Sequence, residues 1–300
     1  MFPPSECDRG ERLTYRFDGR VAVVTGAGRG IGRAYAILLA ERGARVVVND
    51  VDAEPANAVA GEIGADALAD TSDVATADGA SALVDSTIER LGRLDILINN
   101  AGIIRWAGMP EVDEDNLQQH LAVHVGGSFN TARAAWPHMV ERGYGRVVMT
   151  TSSGLFGLPN NTSYAAAKGA VIGLARSLAT AGTDRGIKVN LIAPGAFTRM
   201  AGRGDAPPEM SPDLVAPMAA FLAHEDCPVN GEIYAAGFGR FARLFIAQSP
   251  GYVQATAATI EDIATHWEAI NDETGYYVPT DLPEWSALFM AHLPRETPKD

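Results

Sequence analysis

The chain has 300 residues, 47% of them hydrophobic and 20% charged, enough to bury a large core and ordinary for a globular protein in water. Its formal net charge of −13 argues against nucleic acid and anionic membrane surfaces as partners, since both need clustered Lys and Arg. Its two cysteines, Cys7 and Cys227, form neither a metal-ligand spacing nor a disulfide framework, so a reducing, cytoplasmic setting is expected.

Residues 1–17 are polar and proline-containing and are expected to form an arm. They lack the apolar core of an export signal, and no apolar run reaches the ~18 residues that a membrane span needs. Residues 18–300 are expected to form one domain. Within it, Val21-Ala22-Val23-Val24 reads as a buried strand and Ile31 to Arg42 as the helix that follows. Between them stands Thr25-Gly26-Ala27-Gly28-Arg29-Gly30-Ile31-Gly32. Glycines here allow a tight turn and let backbone N–H groups approach a diphosphate at the helix N-terminus, where the dipole favours negative charge. The spacing is Gly26-x-x-x-Gly30-x-Gly32 rather than G-x-G-x-x-G, and its place between first strand and first helix gives it weight.

Arg45 to Val48 is the next strand, closed by Asp50. A carboxylate there accepts hydrogen bonds from the adenosine ribose hydroxyls and repels a 2′-phosphate, so NAD is expected over NADP. Arg29, a cation inside the turn, pulls toward NADP, but the Asp50 charge is expected directly at the ribose and outweighs it. A merely solvated strand-end acid is the alternative.

Leu94 to Ile98, Arg146 to Met149 and Ile187 to Leu191 are further strands, each separated from the last by a helical stretch. This alternation means an α/β fold, a parallel sheet covered by helices on both faces. After the Arg146 strand, Ser152, Tyr164 and Lys168 stand in the frame Thr150-Thr151-Ser152-Ser153 … Ser163-Tyr164-Ala165-Ala166-Ala167-Lys168. In a helix, Tyr164 and Lys168 share one face, a turn apart. A phenol titrates near ~10 and is a poor acid or base at neutral pH; an ammonium beside it is expected to bring that value down into a useful range. A hydroxyl at the strand end can hold a carbonyl or alcohol oxygen against the phenol. The plainer reading is a Tyr and a Lys on an amphipathic helix.

Past Met200 the composition becomes rich in Pro and Gly. Residues 202–209 read as a loop, with 203–212 a candidate lid; Leu214 to His224 reads as a helix and Glu232 to Ala235 as a strand. Residues 201–300 are expected to be a substrate loop and a C-terminal elaboration, its tail carrying Trp267, Tyr276, Tyr277 and Trp285.

The glycine turn, Asp73-Val74, Asn99-Asn100-Ala101-Gly102, Ser152/Tyr164/Lys168 and Pro194-Gly195, in that order over about residues 18–200, resemble the short-chain dehydrogenase/reductase family. The resemblance implies a Rossmann-type doubly wound sheet of about seven parallel strands and hydride transfer between NAD and a small-molecule alcohol or ketone. It implies that Gly26, Arg29, Gly30 and Ile31 meet the diphosphate and Asp50 the ribose. Asp73 and Val74 would contact adenine, and Asn100, Ala101 and Gly102 the adenosine and ribose side. Pro194, Gly195 and Thr198 would hold the nicotinamide and diphosphate, with Tyr164 and Lys168 at the nicotinamide ribose. His124 to Phe129, Thr131 to Met139, Tyr144 to Arg146, Pro212 to Pro217, His224 to Cys227 and Asn230-Gly231 are similar, more narrowly, to the (3R)-hydroxyacyl-CoA dehydrogenase module of multifunctional β-oxidation enzymes. A homodimer or homotetramer built on helices around 114–142 and 162–181 is implied in the same way.

Two positions depart from the wider family. His124 stands where most members have an Asn that completes a proton relay through water to the lysine; the narrower group also has His, so His124 is a catalytic candidate, with a core or helix-face histidine as the alternative. His120 and His124 are spaced like zinc ligands, but no third ligand stands beside them, so no metal is expected. The family places its serine thirteen positions before the tyrosine, where this chain has Thr151. Counting from the strand instead selects Ser152, with Thr151 and Ser153 as rivals.

In the expected oxidation, Tyr164 as phenolate takes the alcohol proton, Lys168 and the cationic nicotinamide depress its pKa, and Ser152 orients the substrate oxygen. Trp106, Phe156, Leu158, Phe197 and Met200 are expected to line an apolar pocket. A fatty acyl-CoA is the first substrate expectation and a steroid or other bulky cyclic alcohol the second; no Lys/Arg cluster near the lid announces a CoA phosphate. A non-catalytic NAD-sensing scaffold would normally lack the tyrosine or lysine, and lyase or epimerase chemistry would give product without net NADH.

Overall fold

In the computed structural model, which describes residues 15–197 and 207–293, strands and helices alternate from the start. β1 (Val21–Thr25) is followed by α1 (Gly30–Glu41), β2 (Arg45–Asn49) by α2 (Ala53–Ile63), β3 (Ala67–Asp70) by α3 (Ala77–Leu91), and β4 (Ile96–Asn99) by α4 (Glu114–His120). A π-helical stretch, Leu121–Gly126, joins α4 to α5 (Gly127–Arg142). Then come β5 (Gly145–Thr150), α6 (Thr162–Gly182), β6 (Ile187–Gly195), α7 (Ala216–Leu222), β7 (Ile233–Gly237) and β8 (Arg240–Leu244). Three short helices close the described chain: α8 (Ile260–Thr265), α9 (Trp267–Asn271) and α10 (Leu282–Phe289).

The strands form one sheet in the order β3-β2-β1-β4-β5-β6-β7-β8, parallel throughout except for β8, which runs antiparallel to β7. All five residues of β1 and all six of β5 are buried, as a strand covered on both faces requires. On one face, Ala34 and Leu39 of α1 and Ala219 and Leu222 of α7 pack on Ala22, Val24 and Ile98. On the other, Leu83 of α3, Ala135 and Met139 of α5 and Val171 of α6 pack on Val23, Leu97 and Met149. Because β1 has β2 on one side and β4 on the other, the chain leaves it in opposite directions and opens a crevice at the strands' C-terminal ends.

The doubly wound α/β fold expected from the sequence is therefore present, with two strands the sequence reading passed over. β3 is a short Ala-Leu-Ala-Asp segment with no β-branched residue and only half-buried side chains. β8 is a largely exposed edge with Arg240 and Arg243 in it, so it has no apolar run to announce it. Phe17, expected at the end of the arm, is buried in the core and its N–H bonds the Arg42 carbonyl at 2.8 Å. Residues 1–14, and 203–206 of the expected lid, lie outside the described residues. Farther on, Arg176 on α6 donates to the Pro279 carbonyl at 2.7 Å and the Thr280 carbonyl at 3.0 Å, fastening the C-terminal elaboration to that helix.

Candidate active site

Two βα turns meet at the crevice. Gly26 and Gly30 have φ of 61° and 55°, where a side chain is strained. A Cβ on Gly32 would stand 2.3 Å from the Gly26 carbonyl oxygen, so the turn closes directly on the helix. Thr25 Oγ1 accepts from the N–H groups of Asn100 and Ala101 at 3.0 Å each. Asn100 Nδ2 returns bonds to the carbonyls of Thr25 (3.0 Å) and Gly26 (3.1 Å), so its amide braces the turn. Helix α1 starts at Arg29 without a side-chain cap, which leaves its first N–H groups free for an anion. Ile31 packs against the core behind them.

Asp50 sits just beyond β2 and turns back to the glycine turn. Its carboxylate accepts from the N–H of Gly28 and of Asp52, both at 3.1 Å. Arg29 pairs with Asp52 at 2.6 Å. Asp73 is exposed and accepts from the Ala75 N–H at 3.0 Å, while the Val74 side chain is buried against Gly127 in the core. Gly195 ends β6 beneath the ring of Phe238, which would lie 2.6 Å from a Cβ there; Pro194 pairs with Ala236. Thr198 and Met200 lie outside the described residues.

At the end of β5 the three rival hydroxyls separate. Thr151 is fully buried and donates to the Lys168 carbonyl at 2.8 Å. Ser153 is exposed and begins a short 3-10 turn. Ser152 Oγ accepts from the Gly154 N–H at 3.0 Å and is the one of the three that acts on the Tyr164 phenol, lowering its pKa. Lys168 is buried, and its Nζ donates to the Thr150 carbonyl at 2.8 Å while standing 5.7 Å from the Tyr164 ring centroid.

The electrostatics differ from the expectation in one respect. Burial pushes the Tyr164 phenol above its usual value, and the Ser152 side chain pulls it back in part. The ammonium was expected to do the lowering; instead burial acts on the ammonium itself and brings Lys168 down to about 7. A group titrating there is half charged near neutrality and gives the phenol correspondingly less help.

Residues 20–206 match the family described as short chain dehydrogenase. The chain belongs to that family. It is 40% identical over 278 residues to the peroxisomal multifunctional enzyme type 2 of Drosophila melanogaster, a match covering 86% of this chain and 46% of that one. The full-length fly enzyme superimposes with a TM-score of 0.79 at 34% identity, over 92% of this chain and 49% of that one, so the chain spans about half the length of this relative. A 7α-hydroxysteroid dehydrogenase complexed with NADH and 7-oxo glycochenodeoxycholic acid has a TM-score of 0.70 at 33% identity over 75% of this chain and 96% of that one. A gluconate 5-dehydrogenase from Burkholderia cenocepacia with NADP and tartrate gives 0.69 at 34% over the same shares, 75% and 96%.

In this short chain dehydrogenase His124 is a buried histidine, in line with one of the two readings of its sequence. The ring is buried edge-on to Tyr164, with centroids 5.4 Å apart and planes at 89°. Its Nε2 lies 2.9 Å from the Ile103 carbonyl, and Nδ1 has no hydrogen-bond partner among the described residues. Burial first, then the Lys168 charge, pushes its pKa down to about 2, so the imidazole stays neutral. Its neighbour His120 stacks on it at 5.9 Å. Both histidines bond backbone groups, a use that the four-residue spacing alone does not reveal.

Around the Ser152–Tyr164 pair two loops are knitted together. Ala107 bridges Asn161, Thr162 N–H donates to the Ala107 carbonyl at 3.3 Å, and Gly108 has no room for a Cβ beside the Pro159 carbonyl. These loops expose Trp106, Met109, Phe156 and Leu158. Phe197 is half-buried, its N–H on the Met210 carbonyl at 2.9 Å. Met109 was not singled out from the sequence, where it follows Trp106-Ala107-Gly108 with no motif of its own.

Proposed function

We propose that this chain interconverts a secondary alcohol and its ketone with NAD as hydride carrier, and that its substrate is a 3-hydroxyacyl-CoA or a similarly bulky hydroxy compound. The observation that carries the reading is the buried Lys168 ammonium 5.7 Å from the Tyr164 ring centroid, with Ser152 acting to lower the pKa of the same phenol. The uncapped α1 terminus and the closely approached glycine turn fit a diphosphate, and the bound nicotinamide would supply hydride exchange.

The protein's own residues handle the proton and the alignment. Ser152 holds the substrate oxygen against the phenol and stabilises its partial charge. Tyr164, as phenolate, accepts the hydroxyl proton in oxidation and returns it in reduction. Lys168 supplies positive charge over the face of the Tyr164 ring. Asp50 at the edge of the glycine turn disfavours a 2′-phosphate, and Arg29, already paired with Asp52, offers that phosphate less attraction; both support NAD.

The exposed aromatic and aliphatic side chains on the loops beside Tyr164 support a large apolar substrate. The likeness to multifunctional enzyme type 2 favours an acyl thioester, and the steroid-bound neighbour keeps a hydroxysteroid as second choice. A homodimer or homotetramer is proposed as well, on the exposed apolar groove between α5 and α6 lined by Phe129, Trp136, Pro137 and Leu178. The free, buried thiol of Cys227 suits a reducing, cytoplasmic setting, whereas the fly relative is peroxisomal by name.

The test is the rise of NADH absorbance on adding NAD and a panel of 3-hydroxyacyl-CoA thioesters and hydroxysteroids. One substrate class should turn over, and Tyr164→Phe should lose about 10²–10⁴-fold in rate while keeping its NAD affinity. Near-wild-type turnover by that variant would remove the phenol from the chemistry, and silence across the panel would favour a non-catalytic NAD-sensing protein.

A further inference from the structure

The segment after the Asn100-Ala101-Gly102 turn has no secondary structure of its own, yet it is gripped at alternate residues by one helix face. His120 Nδ1–H donates to the Asn116 carbonyl one turn earlier, at 2.7 Å. That bond fixes the tautomer, so Nε2 carries a lone pair and accepts the Arg105 N–H at 3.3 Å. Asn116 Nδ2 donates to the Arg105 carbonyl at 3.0 Å, so both backbone groups of Arg105 are satisfied from α4. The Arg105 side chain adds an exposed bond to Asp115 at 2.9 Å. One turn on, His124 Nε2–H donates to the Ile103 carbonyl at 2.9 Å, the Ile103 N–H lying 3.3 Å from the same nitrogen.

The two imidazoles thus form a ladder. They stack at 5.9 Å with planes 15° apart, and each presents its plane nearly perpendicular to the Tyr164 ring, at 6.2 Å and 87° for His120 and 5.4 Å and 89° for His124. The next residue along the strap is Trp106, half exposed, followed by Ala107 in its bridge to Asn161 at the start of the tyrosine's helix.

We propose that His120 and His124 are positioning residues that set the substrate-facing wall, Ile103 to Ala107 with Trp106 at its tip, in register with the Tyr164 phenol. The strap has no ladder of its own to hold it, so the distance between wall and phenol is determined by side chains that touch both. The rings do this through backbone hydrogen bonds and edge contacts, and transfer no proton. The importance of the register rests on the reading of Tyr164 as the acid–base group; the grip on the strap does not.

Hydrogen exchange of the peptides covering 103–107 tests the grip without any substrate. His120→Phe keeps a flat ring and loses the bond to Arg105, and His120→Gln returns an acceptor near the Nε2 position. The Phe variant should exchange the Arg105 amide roughly tenfold faster than wild type, with the sheet amides unchanged, and the Gln variant should recover most of the protection. Unchanged exchange in the Phe variant would overturn the proposal, and so would loss of protection spread evenly over the sheet.

With a substrate from the absorbance panel in hand, the Phe variant should raise KM several-fold more than it lowers kcat, at unchanged NAD affinity. Equal loss in both, or none, would sink the positioning role. A panel with no turnover would leave the exchange result standing, so failure of the proposed reaction and failure of the ladder are separable.

Discussion

Lys168 spends a hydrogen bond on the Thr150 carbonyl, 2.8 Å away, and meets Tyr164 only through the face of its ring, 5.7 Å from the centroid. One helical turn separates the two residues, as their spacing requires. The buried ammonium is thereby the strained member of the pair, brought down to about 7, while the phenol is pushed up. The lysine's first service is to place charge where solvent cannot screen it.

That burial sets a pH dependence. Between about 7 and 10.5 the folded chain holds less of the Lys168 proton than the unfolded chain does, so stability rises with pH across that window. Below about 7 the cost of the buried charge is present in full. Urea denaturation of wild type and Lys168→Met at several pH values should show their stability difference moving in favour of wild type as pH rises. A difference that stays flat from about pH 7 to pH 10 would contradict the burial account.

Cofactor choice should follow the Asp50 charge. Asp50→Asn keeps an oxygen for one of the Gly28 and Asp52 N–H groups, which use different carboxylate oxygens, and removes the repulsion of a 2′-phosphate. The ratio of NAD to NADP affinity, measured by titration, should fall by roughly tenfold, or ~1.4 kcal/mol. An unaltered ratio would assign the discrimination elsewhere.

Gly102 is required by its neighbour. A Cβ there would stand 2.6 Å from His124 Cε1, and that ring is tied to the Ile103 backbone and cannot retreat freely. Gly102→Ala should destabilise by about 1–3 kcal/mol. Combined with His124→Ala its cost should shrink, by at least ~0.5 kcal/mol in a double-mutant cycle. Strict additivity would show that the two positions do not press on each other.

Tyr35 carries a hydroxyl in the core layer under α1, buried and without a hydrogen-bond partner among the described residues. Burial pushes that phenol far up, so it stays neutral. Tyr35→Phe should be neutral or more stable by up to about 1 kcal/mol in chemical denaturation. A clear loss would mean that the oxygen has a partner, such as a buried water.

Much of this was legible in the residues. The buried strands from Val21 to Leu191 are near-continuous apolar runs, so periodicity and length found them, whereas the half-exposed β3 and the arginine-bearing β8 carry no such signal. Ser152 was picked over Thr151 by counting from the strand, and the geometry gives the reason that spacing could not: Thr151 points inward to the Lys168 carbonyl. Asn100, Val74 and Gly102 are expected ligand contacts by motif position, and the structure adds a second use for each. Their side chains, or the lack of one, are used for the turn, the core and the histidine ring. The histidine pair was seen as a spacing, but its backbone partners lie 15 and 21 residues away in sequence, beyond any local pattern.

The clasp of Arg176 on the Pro279 and Thr280 carbonyls lies twelve residues, or ~18 Å, along the same rod that carries Tyr164. A stiff rod transmits displacement from one end to the other. Sequence drift in the distal tail is therefore coupled mechanically to the Tyr164 phenol, and a graft that exchanged that tail for another would have to supply its own anchor for the arginine.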